Sequence, residues 1–491
     1  MNILFVASEV VPFAKTGGLA DIVSSLASYL KEHGHTVRIV VPYYNLIKEK
    51  NIETTTVLDS MGVSMGPGIE EWCAVREAKG TGDVPVWFIE HDHFFHRDGL
   101  YHDAQFNDYY DNPRRYAFLS RAALQVCIDT GFSPDVIHVH DWQSALTAAY
   151  QKIWFWDNPI VGHATSVLTI HNAKYQGRYP AYENFNYFGI NGEHFTSDKF
   201  EDHGDINMLK AGIYFADVVN TVSPTHAKEI ADPHAEFGVA QYLHRKGDGY
   251  RGILNGIDYD EWSPEKDPLI PASFSVTKMA GKAKCKKALQ EKMGLEQRKD
   301  VPIIGIVGRL VEQKGYHLLT PIIHQLMEQS DVQFAFLGSG DKGLEGFLSH
   351  LSTVYPGKFA TWIGYSNELA HLIEAGSDMF LMPSMFEPCG LNQIYSLKYG
   401  TLPIVRAVGG LEDTVENYEP STGEGTGFKF WDATPDALWG TISWAVDTYY
   451  NNPKHFKAMQ KRAMKQDFSW DVSGKEYLDF YAHAQWTRDH Q

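Results

Sequence analysis

The feature that most constrains this chain is a repeated unit: a short unbroken apolar run, a Gly-rich or polar turn, then an amphipathic stretch. In the first half the runs are NILFVASEV, TVRIVVPYY, PVWFIEH, DVIHVHD, SVLTIHN and DVVNTVSP, with LADIVSSLASYLKEHG and RRYAFLSRAALQVCIDTG between them. A second series comprises VPIIGIVGRL, VQFAFLGSG, FATWIGY, DMFLMPS and TLPIVRAVGG. Runs that stay apolar without alternating suit strands covered on both faces of a parallel sheet. Alternation of such strands with helices predicts an α/β fold with right-handed crossovers. Between the series lies GDGYRGILNGIDYDEWSPEKDP, rich in Gly, Asp and Pro, followed by the Lys-rich KMAGKAKCKKALQEKMGL. This break predicts a junction near residues 250–262 between two Rossmann-like domains. The closing stretch VSGKEYLDFYAHAQW is too short for a domain and is expected to dock on one.

Composition narrows the function classes. At 491 residues the chain has room for two or three cores, and a formal net charge of −18 disfavours a nonspecific grip on nucleic acid or anionic lipid. Cys73, Cys127, Cys285 and Cys389 lie far apart without a Cys-x-x-Cys, so they read as reduced thiols. The N-terminus lacks the pattern of a signal peptide, and no apolar stretch approaches the ~18 residues of a membrane span. A soluble cytoplasmic protein is the expectation.

In open α/β sheets ligands gather beyond the carboxyl ends of the strands, so the residues just after each run carry the search. The first run leads to KTGGLAD, Lys15 to Asp21. Gly17 and Gly18 allow close backbone approach, and a helix N-terminus offers N–H groups to an anion. The loop matches neither G-x-G-x-x-G nor the P-loop spacing. On these residues alone a plain turn with a solvated lysine fits equally. The second series opens with GRLVEQKG, where Arg309 and Lys314 are two cations suited to a diphosphate and to its charge as a leaving group. FEPCGLNQ supplies Glu387, which can bind a ligand or cap a helix, and the backbone N–H groups of Gly390 and Leu391. Cys389 reads as a small packed residue of that loop, with no base beside it to make it a nucleophile. HVHDWQ brings Asp141, and TIHN brings His171, to two further strand ends. A carboxylate and an imidazole there suit proton transfer or hydroxyl binding, though each alone can be a satisfied polar residue. His91, His93 and His96 in HDHFFH read as an ordered loop rather than a metal site. Tyr365, ending FATWIGY, is the aromatic residue singled out for a ligand face.

Together these stretches resemble the bacterial glycogen synthases and plant starch synthases, the family-5 retaining glycosyltransferases. The resemblance runs from KTGGLAD through HDW, HNAKYQG, LKAGIYFAD, TVSPTHAKEI, LNGID, GRLVEQKG, IGY, PSMFEPCGLNQ and LKYGTLPIVRAVGGLEDTV to DFSW. It implies the GT-B fold: an N-terminal Rossmann-like domain over 1–254, a C-terminal one over 255–468, a central cleft, and a helix over 469–491 crossing back to the first domain. It implies transfer of α-D-glucose from ADP-glucose to the non-reducing 4-OH of an α-1,4-glucan (glycogen, a starch-like polymer or maltooligosaccharides), with retention and release of ADP. The resemblance further implies that no cofactor or metal is required, that neither nucleic acid nor membrane is a partner, and that a plant-type source would place the protein in the plastid stroma. The resemblance implies that Lys15 and the Gly18 backbone meet the donor diphosphate from one domain. Arg309 and Lys314 meet it from the other, with the N–H groups of Gly390 and Leu391. Tyr365 lies against adenine, Glu387 contacts donor-sugar hydroxyls, His171 the glucose, and Asp141 the region of the anomeric carbon or acceptor. Asn255 is a cleft or hinge residue, and Cys389 sits in the substrate-binding loop. Two departures stand out. Tyr395 occupies the place where many GT-B relatives carry a second glutamate, an absence shared by the starch and glycogen synthase branch. Asn392 occupies a slot that is often Thr. The rival expectations are a pyridoxal-phosphate phosphorylase, a glucan-binding or priming protein with weak catalysis and, least, a nicotinamide dehydrogenase.

Overall fold

The computed structural model describes residues 1–490. The chain divides into two compact units, one of Met1–Val222, Ala227–Gly256 and the segment from Trp470, the other of Ser223–His226 and Ile257–Ser469.

The first unit is built on a nine-stranded sheet. Its strands are β1 (Asn2–Val6), β2 (Thr36–Pro42), β3 (Thr55–Ser64), β4 (Glu70–Lys79), β5 (Pro85–Glu90), β6 (Val136–His140), β7 (Thr165–Ile170), β8 (Val218–Thr221) and β9 (Tyr250–Gly252). They lie in the order β9-β8-β7-β6-β1-β2-β5-β4-β3. All pairs are parallel except those made by β4, which runs antiparallel to both β5 and β3. Helix α1 (Gly18–Glu32) follows β1, and α2 (Asp141–Trp154) follows β6 without an intervening residue. The terminal helix α5 (Trp470–Asp489) packs within this unit. Its Tyr481 hydroxyl lies 2.8 Å from His138 Nδ1 on β6, and its Tyr477 hydroxyl accepts from Asn220 Nδ2 on β8 at 3.2 Å.

The second unit holds a six-stranded, wholly parallel sheet. Its strands are β10 (Ile303–Val307), β11 (Gln333–Gly338), β12 (Phe359–Ile363), β13 (Met379–Met382), β14 (Leu402–Arg406) and β15 (Phe428–Phe430), in the order β12-β11-β10-β13-β14-β15. The unbroken apolar runs are explained by burial on both faces. Ile304, Ile306, Phe334, Phe336 and Leu381 enter one core cluster, while their neighbours Ile303, Ala335, Leu337 and Phe380 enter another. Helix α3 (Asn367–Gly376), capped by Ser366 accepting from the Leu369 N–H, lies close on β10. A Cβ at Gly305 would meet Ile373 of that helix at 2.6 Å.

The Lys-rich stretch after the break is a helix, Ala280–Met293, that belongs to the second unit. Lys282 is buried and donates to the carbonyls of Ala375 and Tyr399, both at 3.0 Å, and Lys286 pairs with Asp378 at 2.8 Å. These two lysines serve packing. No described helix is long and apolar enough to cross a membrane.

Candidate active site

In the first unit the chemistry gathers at the carboxyl ends of β1, β6 and β7. Leaving β1, the chain carries a buried acid, Glu9, whose carboxylate accepts from the backbone N–H of Thr16, from its hydroxyl at 2.6 Å, and from the Tyr101 hydroxyl. These bonds fix the residue beside Lys15. The Lys15 side chain is 50% exposed and its Nζ sits 2.7 Å from Asp21 Oδ1 in the first turn of α1. Gly17 stands at the N-cap in extended backbone and provides no side-chain cap, so the first N–H groups of α1 are left to an outside acceptor. Burial raises the Asp21 pKa, and Lys15 opposes that shift.

Asp141 opens α2 with a φ of +56°, in the left-handed region that costs an ordinary residue about 1 kcal/mol. Its Oδ1 accepts from the His171 N–H at 2.6 Å and from the Asn172 N–H at 3.3 Å, tying the end of β6 to the end of β7. Burial pushes the carboxyl up to about 7 against those two donors, and nearby Glu9 adds to the rise. His171 is held neutral by burial, its pKa lowered to about 3. Its Nε2 lies 3.0 Å from His140 Nδ1. Among the described residues the buried His140 Nε2 has no partner, so a proton there would be an unsatisfied donor. The proton therefore belongs on His140 Nδ1, donated to His171 Nε2, which leaves His171 with its own N–H at Nδ1. Behind this pair, His138 Nε2 donates to Thr169 Oγ1 at 2.6 Å, because that hydroxyl gives its hydrogen to Asn220 Oδ1 at 2.7 Å. His138 Nδ1 then accepts from Tyr481 of the terminal helix.

In the second unit the corresponding loops follow β10, β12 and β13. Gly315, at φ +72°, brings the β10 loop against the end of β13, where a Cβ would lie 1.9 Å from the Pro383 carbonyl oxygen. That approach sets Lys314 Nζ 2.7 Å from Glu387 Oε2. The Ser384 hydroxyl donates to the same oxygen at 3.0 Å. Arg309 is exposed and not bonded to this pair; among the described residues its side chain has no ion pair or hydrogen bond. Gly390 has a φ of +73°, and Leu391 caps helix α4 (Asn392–Lys398) without a side-chain acceptor. Asn392 Nδ2 donates to the Val307 carbonyl at 2.9 Å, lashing this loop to the end of β10. Cys389 is buried and forms no disulfide among the described residues. Tyr365 is 76% exposed between Gly364, at φ +129°, and the cap of α3.

The amino-terminal half, residues 2–245, matches the model of the starch synthase catalytic domain, and residues 290–466 match glycosyl transferases group 1. Glycogen synthase 1 of Geobacter sulfurreducens is 45% identical over 99% of this chain and 96% of its own. The glycogen synthase of Treponema denticola is 43% identical over 99% and 98%. The chain belongs to the glycogen and starch synthase family. Among solved structures, the catalytic domain of starch synthase IV from Arabidopsis thaliana, bound to ADP and acarbose, matches with a TM-score of 0.89 and 30% identity. The match covers 98% of this chain and 99% of that one. The two parallel-sheet units are the Rossmann-like pair of the GT-B glycosyltransferases.

Of the residues that family membership brings to attention, the structure places Asp141 against His171, and Lys314 against Glu387, in direct contact. Among the described residues Lys15 is bonded only to Asp21. Asn255 is buried, its Oδ1 without a partner among the described residues, one residue before the break between the units. Tyr395 is half-buried and stacks on Trp262 at 3.9 Å and 6°, with His371 on the other face of that indole at 3.8 Å. The position of the absent second glutamate is thus filled by packing. HDHFFH forms a short helix, Asp92–Phe95, with His91 bonded to Glu71 Oε2 at 3.1 Å. Sequence reasoning missed Glu9, although an acid inside an otherwise apolar strand run was its signal. It also missed Gly409, whose φ of +44° lets the β14 loop close on Glu387, where a Cβ would meet the Glu387 carbonyl oxygen at 1.9 Å.

Proposed function

We propose that this chain transfers α-D-glucose from ADP-glucose to the non-reducing 4-OH of an α-1,4-glucan, with retention of configuration and release of ADP. One observation carries the reading: a buried carboxylate, Glu387, holds Lys314 at 2.7 Å on the strand end that also presents the unpaired Arg309. Two cations of that kind match the charge that grows on a departing nucleoside diphosphate. The Arabidopsis relative was crystallised with ADP and acarbose, a nucleotide and an oligosaccharide, and we take the same two ligand classes here.

In this reading Lys15 and the backbone of Gly18 contribute to the same diphosphate, and the N–H groups of Gly390 and Leu391 complete its shell. Lys15 exchanges part of its bond to Asp21 for the phosphate. Tyr365 offers its exposed ring to adenine. Glu387, anchored by Lys314 and Ser384, accepts from donor-sugar hydroxyls. Neutral His171 donates its Nδ1–H to the glucose, and the Asp141 carboxyl lies near the reacting carbon. As the bond from C1 to the diphosphate oxygen breaks, positive charge develops at C1 and negative charge on ADP. The acceptor 4-OH attacks from the face that ADP leaves, and its proton passes to the leaving phosphate oxygen. Replacing Arg309 and Lys314 together by Ala should abolish ADP release in the presence of glycogen. Turnover surviving in that variant refutes the charge-neutralisation reading.

A further inference from the structure

The proposed transfer gives no part to His140, which ends β6 immediately before Asp141. Alternate side chains of a strand share one face, so His138 and His140 point the same way from β6. Their ladder partners on β7 are Val167 and Thr169, and Thr169 pairs in turn with Asn220 of β8. His138, His140, Thr169 and Asn220 thus line one buried face, where the Tyr481 and Tyr477 hydroxyls of the terminal helix meet His138 and Asn220. Buried polar groups are tolerated when they are paired. Among the described residues every polar side-chain atom of this group has a partner except His140 Nε2.

His140 is itself held firmly. Its backbone N–H donates to Ser144 Oγ at 2.7 Å, and that hydroxyl donates back to the His140 carbonyl at 2.9 Å. Its ring centre lies 4.2 Å from that of His138 and 5.3 Å from that of Phe5. Burial, with His138 and His171 close by, holds its pKa well below the usual imidazole range, so the ring is neutral. With Nε2 unpartnered, its one proton sits on Nδ1 and is donated to His171 Nε2, 3.0 Å away. His171 is then left with its own proton on Nδ1, which bonds to no protein group among the described residues. Two consecutive residues therefore hold His171. The His140 ring sets its tautomer, while the Asp141 carboxylate accepts its backbone N–H at 2.6 Å.

We infer that His140 is a positioning residue, which locks His171 in the tautomer that offers the donor sugar an N–H and no acceptor. The inference rests on the proposed contact of His171 with glucose. The test compares the full chain with His140→Asn and His140→Asp, which are matched in size. A carboxamide there can donate to His171 Nε2, whereas a carboxylate can only accept and draws the His171 proton to Nε2. The tautomer is read from nitrogen NMR shifts of the imidazoles in histidine-labelled protein, with the His171 signals assigned by their loss in His171→Asn. Unfolding midpoints, and kcat and KM for ADP-glucose with glycogen, are measured alongside. The parent and His140→Asn should both carry the proton on Nδ1, with kcat of His140→Asn within about tenfold of the parent. His140→Asp should carry it on Nε2, with kcat lowered about 10²-fold or more, because a donor facing the sugar has become an acceptor. A parent with His171 protonated on Nε2 overturns the inference, whether or not His140→Asp folds. So does turnover that fails to follow the tautomer among variants that fold. A parent that incorporates no glucose overturns the activity reading instead, and its spectrum then decides the tautomer by itself.

Discussion

Replacing Lys314 by Ala strands the Glu387 carboxylate. In the parent its Oε2 lies 2.7 Å from Lys314 Nζ, with side-chain exposures of 19% for the lysine and 7% for the glutamate. After the substitution the Ser384 hydroxyl, at 3.0 Å, is left to solvate the charge. Removing one partner of a buried pair costs about 3–5 kcal/mol, and the lysine's partial contact with water puts Lys314→Ala near the lower end, about 3 kcal/mol. For a unit of this size that corresponds to roughly 6–12 °C in its unfolding midpoint. Glu387→Ala leaves a lysine that can turn to solvent, and should cost about half as much. The double variant has no stranded charge and should regain about 2 kcal/mol over Lys314→Ala alone. Turnover must behave differently. On the role proposed for Lys314 at the leaving group, loss of that cation should lower kcat by about 10²–10³, and the double variant should recover none of it. Thermal unfolding and an ADP-release assay on the three variants separate the two roles. A double variant no more stable than Lys314→Ala, or one that regains turnover, refutes this reasoning.

Arg309→Ala gives the contrasting case. Its side chain is exposed and unpaired, so stability should stay within about 0.5 kcal/mol of the parent while kcat falls about 10²-fold or more. Asp141 bears on pH dependence. Its folded pKa, pushed up to about 7, exceeds the unfolded value, so its contribution is complete below about pH 4 and is lost as pH rises through 7. Asp141→Asn removes that loss, and between pH 5 and 8 the variant should lose roughly 2–3 kcal/mol less than the parent in urea titrations. His171, lowered to about 3, acts in the opposite sense in both proteins, so the difference isolates Asp141. Gly409→Ala would press a Cβ to 1.9 Å from the Glu387 carbonyl oxygen at a φ of +44°. It should lower both the unfolding midpoint and kcat, by about 2 kcal/mol in stability.

The sheets were legible where both faces are buried. The run IIGIV in β10 sends Ile303 to one core and Ile304 and Ile306 to the other, and such a strand can only be continuously apolar. Strands β3 and β4 escaped notice because they form an edge hairpin with much of TTVLDSMGVS and EEWCAVREAK at the surface. Of the site, the strand-end positions of Asp141, His171, Lys314 and Glu387 were readable, since an α/β sheet collects chemistry there. Their partners were not. The bond from Asp141 to the His171 N–H joins residues thirty positions apart, and the closure of Gly409 on Glu387 depends on a backbone conformation that sequence does not display. Tyr395 shows the opposite limit. Spacing located it, yet the stack on Trp262 joins residues far apart in the chain and was not readable there.

The central claim is the transfer itself. Parent protein is incubated with glucose-labelled ADP-glucose or UDP-glucose and glycogen, and nucleoside diphosphate release, label in polymer and the configuration of the new bond are measured together. The account predicts one ADP released per glucose incorporated, with the label in α-1,4 linkage. No incorporation from either donor, or a product of β configuration, contradicts it.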